Sequence, residues 1–165
     1  MKKKLVTGIL CAAVLAGTVA PVHAENTTEG TMNVKYKKGN VYVISIPSSV
    51  TLQQGKETTA EQIKATSMNV EPRTEVVVMV TDGINEKGAV SLALSYGESA
   101  DTVTSTVSLT SGGTGIDTDT VVASFSGQSL EPESGTGTLY FSGLPEGMKA
   151  GTWKGQLTFT VGTMD

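Results

Sequence analysis

Eleven residues near the end of the chain, from Gly151 to Val161, constrain the fold more than any other stretch. Trp153, Gly155, Leu157, Phe159 and Val161 fall on one parity, and Thr152, Lys154, Gln156, Thr158 and Thr160 on the other. Side chains alternate across a β-strand, so this order sets one face on a core and the other in water. The only tryptophan of the chain stands on the inward parity. The pattern predicts a strand lining the centre of the core, with Trp153, Leu157, Phe159 and Val161 as its core residues.

The same period recurs upstream. Val90, Leu92, Leu94 and Tyr96 alternate, and Val103, Ser105, Val107 and Leu109 do so among threonines and serines. Val76 to Val80 is apolar on both parities, as expected of a central strand covered on both faces. Met32, Val34 and Tyr36 alternate, and beyond the cluster Lys37-Lys38-Gly39-Asn40 comes Val41 to Ile46. Two β-rich runs around a turn cluster predict an antiparallel hairpin. Pro47 stops the second run, and extended structure resumes at Val50-Thr51-Leu52.

Gln53 to Thr66 is the one region with helical tendency, since Thr58 and Thr59 each precede Glu or Gln by three residues. In so short a run a single turn and a loop are both compatible with the residues. Ser67–Val70, Val121–Phe125 and Leu139–Phe141 add strands, separated by a turn at Asp82–Gly88 and a loop at Ser111–Thr120. Eight or nine strands without a helix of three turns predict an all-β fold. The expected architecture is an antiparallel β-sandwich with immunoglobulin-like or jelly-roll connections. No self-similar repeat is present, which argues against a solenoid or propeller.

The other end carries an address. Lys2, Lys3 and Lys4 precede a mostly apolar run from Leu5 to Ala20, closed by Pro21-Val22-His23-Ala24. That order is a bacterial secretory signal peptide, with cleavage expected after Ala24. The run is too short, and too soon broken, for a retained membrane helix. The expected organisation is residues 1–24 as signal peptide, 25–30 as a flexible polar tail, and 31–165 as a single β-sandwich domain. Cys11 follows Leu10 rather than a small residue, so lipidation is not expected, and it leaves with the signal. A mature chain without cysteine has no disulfide and no thiol chemistry. Cleavage also removes three of the 12 basic residues and the only histidine, leaving nine basic against 16 acidic residues, a net charge of −7. That balance weighs against nucleic acid and anionic lipid as partners, and it favours solubility.

Catalytic constellations are excluded mostly by the residues missing after Ala24. Without His or Cys there is no Ser-His-Asp triad, no Cys-His pair and no zinc site of the usual ligands. Gly112-Gly113-Thr114-Gly115 lies between strands, with no following helix to aim N–H groups at a phosphate. Glu131 with Glu133, and Asp82 with Glu86, are the residue types of a glycosidase, but they stand in turn-like stretches. Eight aromatic residues, most at inward parity, leave little to stack on a sugar. The chain is therefore expected not to be an enzyme and to need no cofactor. Asp117 and Asp119 are candidate calcium ligands on a loop, without EF-hand spacing; a solvated turn is the simpler reading. Lys35, Lys37 and Lys38, beside Tyr36 and Tyr42, are a candidate contact for a polyanion such as a wall teichoic acid. On a hairpin the same lysines would instead guard an edge strand against pairing.

Two stretches carry a resemblance. Val41-Tyr42-Val43-Ile44-Ser45-Ile46-Pro47-Ser48-Ser49-Val50-Thr51-Leu52 resembles the Tyr-x-Val-x-Ile-Pro-x-x-Val-x-Leu opening of small secreted or surface β-sandwich proteins of Gram-positive gut bacteria. Ala150 to Val161 is similar to their closing Ala-Gly-Thr-Tyr-x-Gly-x-Leu-x-Phe-x-Ile strand, with Trp153 in place of the usual Tyr. Similar closing strands occur in fimbrial subunits and in WxL-type surface proteins. The resemblance implies an extracellular structural or adhesive module and transfers no catalytic residue. Leu144-Pro145-Glu146-Gly147 lacks the rest of a sortase signal, and no Trp-x-Leu pair is present. The expected role is a secreted, cell-surface-associated binding module for a wall polymer, glycan or surface protein. The alternative is a pilin-like or matrix-fibre subunit, whose tail from Glu25 to Val34 self-associates by pairing with an exposed sheet edge on the next copy.

Overall fold

Val76-Val77-Val78-Met79-Val80 is apolar on both parities, and the strand that holds it is central in its sheet, with a neighbour on each side. The computed structural model describes residues 32–94 and 101–164. The chain divides into two units, Met1–Lys37 and Lys38–Asp165. Of the first, residues 32–37 lie outside any strand and are exposed. The expected signal peptide at 1–24, the tail at 25–30 and Tyr96 lie outside the described residues.

The second unit is all-β. In chain order its strands are β1 (Val41–Ser45), β2 (Thr58–Thr59), β3 (Lys64–Asn69), β4 (Glu75–Asp82), β5 (Ala89–Leu94), β6 (Thr102–Ser108), β7 (Val121–Ser126), β8 (Tyr140–Phe141), β9 (Trp153–Lys154) and β10 (Thr158–Met164). They form sheets in the orders β1-β3, β10-β4-β7 and β2-β8-β6-β5-β9. Every one of these strand pairs is antiparallel, which agrees with a sandwich. The core joins Val76, Val78 and Val80 of β4 to Val122 and Phe125 of β7 and to Val90, Leu92, Val107 and Phe141 of the five-stranded sheet. Burying a side chain of this size contributes about 1.5–3 kcal/mol. Ser105, fully buried on β6, is satisfied: its hydroxyl donates to the Ser142 carbonyl at 2.7 Å.

Three expectations are corrected. The hairpin between Met32–Tyr36 and Val41–Ile46 does not form; β1 pairs with β3 instead, Val41 opposite Asn69 and Ser45 opposite Lys64. β3 brings buried Ala65 and Met68, against which Tyr42 and Ile44 of β1 find a core. Asn40, read as a turn residue, accepts a hydrogen bond from the Glu71 N–H at 2.8 Å, tying the start of β1 just past the end of β3. Gln53 to Thr66 resolves as neither helix turn nor plain loop. The N–H groups of Gly55, Ala60 and Ile63 donate to the carbonyls of Leu144, Leu139 and Gly137, so the stretch lies along 137–144.

The closing stretch, finally, is two strands. Trp153 pairs with Leu94 of β5, whereas Thr158 to Met164 pairs with Asp82 to Glu75 of β4. The chain therefore passes from the five-stranded to the three-stranded sheet around Gly155–Leu157, and it is an edge in both. Trp153, Leu157, Phe159 and Val161 keep their inward parity, but they are half-buried at the rim rather than at the centre. β10 has a neighbour on one side only, whereas β4 has one on each side and β7, the other end of the sheet, is covered by the loop through Glu133 and Gly137.

Candidate functional site: an apolar groove

Two local failures of pairing leave apolar surface only half covered. Pro47 ends β1, and residues 46–52 form no strand, so this segment covers the core only through half-buried Ile46, Val50 and Leu52. The closing stretch is changing sheets where it brings Trp153, Leu157 and Phe159 to the same place. Between them lies a groove of about 610 Å3 that reaches Val90, Leu92 and Phe141 of the core. That is within the range of about 300–1,000 Å3 usual for ligand sites.

The lining is chiefly apolar. Its titratable members are one acid, Glu61, and one base, Lys154; Ser48, Ser49, Thr51 and Gln156 add neutral polar groups. The indole N–H of Trp153 donates to the Lys149 carbonyl at 3.1 Å, which holds the ring in one orientation. Lys149 in turn pairs with Asp101. Such a groove can bury an apolar or amphipathic chain and orient it with a few polar contacts.

The candidate residues from the sequence go to several places. Trp153, Leu157 and Phe159 line the groove, and Val161 packs against the core further along β10. Asp117 and Asp119 are exposed in a turn fastened to β4, where the Asp119 N–H donates to the Val80 carbonyl at 2.7 Å. Among the described residues no group of three or more His, Cys, Asp or Glu is placed to hold a metal ion. Glu131 forms a surface ion pair with Lys64 at 3.5 Å, and Asp82 accepts the N–H of Gly83 at 2.7 Å. Neither they nor Glu133 and Glu86 line the groove. Lys35, Lys37 and Lys38 are exposed and outside any strand, so the hairpin edge that they were to guard is missing. Tyr42, grouped with them by sequence, packs on the core.

One anion cradle escaped the sequence. The Gly-rich loop after β6 is filled by the protein's own carboxylate: Glu57 accepts from the Ser111 hydroxyl at 2.6 Å and from the Gly112 N–H at 2.7 Å. The Ser111 hydrogen bond first, and then the Gly112 one, hold the Glu57 carboxyl below its ordinary range. A lowered folded-state pKa stabilises above the unfolded value, and the contribution is lost as pH falls through the folded one. Urea midpoints of wild type and Glu57→Gln should therefore differ most at neutral pH and converge in acid; a difference constant with pH would remove the clasp. Ser111 and Gly112 lie 54 and 55 residues from Glu57, beyond any local pattern. The groove and the clasp have to be read from their own chemistry, because no family model, no curated protein and no solved structure matches the chain.

Proposed function

We propose that this chain is a non-enzymatic bacterial binding module, secreted and acting at the cell surface, with the groove as its contact for a wall polymer, glycan or surface protein. The observation that carries the reading is the groove itself: about 610 Å3, walled by Trp153, Leu52 and Phe159, with one acid and one base in its lining. A ring held by its N–H and flanked by apolar walls suits a stacked sugar face or an apolar stretch of chain. The signal-peptide pattern supports export, and the resemblance of residues 41–52 and 150–161 to surface β-sandwiches supports the location.

The test is retention on isolated bacterial cell walls, measured for residues 25–165 as secreted. Wild type is expected to be retained, and Trp153→Ala to lose about tenfold or more in affinity, as a central aromatic anchor does. Circular dichroism confirms that the variant is folded. Equal retention of the two proteins, or none by wild type, would sink the reading.

A fibre subunit is the second reading, favoured by a specific observation. β10 ends the three-stranded sheet, and no backbone group among the described residues pairs with its outer side.

A further inference from the structure

We propose that the outer edge of β10 receives residues 32–36 of a second copy as an added strand, joining copies head to tail. The inference rests on the fibre reading and names its contact.

The acceptor is an unguarded edge. Edge strands of soluble proteins are commonly blunted by lysine, proline, a bulge or a covering loop. Thr158-Phe159-Thr160-Val161-Gly162-Thr163-Met164 has neither charge nor proline. The opposite edge of the same sheet is treated differently. There Glu133 and Gly137 donate their N–H groups to the carbonyls of Ser124 and Val122, so a loop covers β7. One edge is closed and the other is left with free backbone groups among the described residues. On that side Phe159 and Val161 are only half-buried, leaving apolar surface for a further strand to cover.

The donor is a strand pattern without a sheet. Met32, Val34 and Tyr36 are 84%, 81% and 87% exposed, and residues 32–36 belong to no strand. All three apolar side chains share one parity, with Asn33 and Lys35 on the other. Added to β10, the run would turn its apolar side to the core and keep Lys35 in water. Charge selects the partner. Residues 31–38 carry three lysines and no acid, while residues 39–165 carry six basic and fourteen acidic residues, a net −8. The lysines of the run are therefore attracted to the acidic body of another copy. Donor and acceptor are different surfaces, so the contact is heterologous and repeats into an open chain.

The absence of cysteine after Ala24 makes the test direct. Lys35→Cys is mixed, as the secreted chain, with Thr158→Cys, Thr160→Cys or Gly162→Cys, three edge positions of one parity. Lys87→Cys, in the turn after β4, is the control. Mass spectrometry reads the mixed disulfide, which by pairing different variants reports contacts between copies only. One edge position is expected to exceed the control about tenfold, because a docked strand holds the thiols at a high effective concentration. Light scattering should show wild-type multimers that become monomers in the Val34→Asp/Tyr36→Asp variant, whose changes lie outside every strand. Multimers with no mixed disulfide above the control would overturn the contact and leave the fibre reading standing. A monomeric wild type, or multimers indifferent to the double variant, would overturn the contact too, and the monomer would remove the fibre reading with it.

Discussion

Phe125→Ala is expected to remove about 3–5 kcal/mol of stability, the usual range for truncating a fully buried aromatic ring. Phe125 is 0% exposed and heads the fully buried side chains by volume. It stands on β7 opposite Val76 of β4, in a cluster with Val78, Val122 and Val107. Branched valines are stiff about χ1 and collapse poorly into a vacated space, so the loss belongs toward the upper end. A domain stable by about 5–15 kcal/mol would give up roughly a fifth or more of that total. The check is a urea midpoint that falls at constant slope. Trp153→Ala is the informative comparison: a half-buried ring at the rim should cost about 1–3 kcal/mol, nearer the ordinary range for point substitutions. A larger loss at Trp153 than at Phe125 would return the closing strand to the centre of the core.

The second large effect is expected from one methyl group. Gly83 follows the end of β4 with φ +90, and a Cβ there would stand 2.1 Å from the Gln156 carbonyl oxygen and 3.0 Å from the Leu157 Cα. The atoms in the way are backbone, so the segment that changes sheets must itself move. Gly83→Ala should cost about 2–5 kcal/mol, adding a left-handed backbone penalty to an overpacked contact. Because Gln156 and Leu157 line the groove, cell-wall retention should fall along with stability. Gly127→Ala isolates the backbone part: its φ is +63, with no atom within 4 Å of the added methyl. Thermal unfolding that ranks the two variants equal would contradict the close approach at Gly83.

Parity was legible in the strands that form, and partnership was not. Alternation found the inward faces of β5, β6 and the closing stretch, and an apolar run on both parities found β4 as a central strand. What alternation reports is which way a side chain points. How far it stands from a sheet edge depends on neighbours many residues away, and Trp153 was therefore placed too deep. The same limit explains the hairpin: Lys37-Lys38-Gly39-Asn40 has turn chemistry, but Asn40 uses its side chain on Glu71, 31 residues on. Half of the groove wall was legible, as Trp153, Leu157 and Phe159 on one face. The other half was visible only as Ile46, Val50 and Leu52 within a familiar opening motif, since nothing local says that residues 46–52 pair with no strand. The Glu57 clasp joins groups too distant in sequence for any period or motif to connect.

The position of β4 in the chain has a consequence for the order of folding. Its neighbours are β7, which begins at Val121, and β10, which begins at Thr158. Both emerge after it during synthesis, and the second only about 80 residues later. Until they arrive, Val76-Val77-Val78-Met79-Val80 is an uncharged, proline-free run of high β-propensity with two bare edges. Long-range antiparallel pairing of this kind closes large loops before it gains contacts and is slow for that reason. A strand central to the finished domain is thus an aggregation hazard while its partners are still missing, and the closing stretch is what ends that exposure.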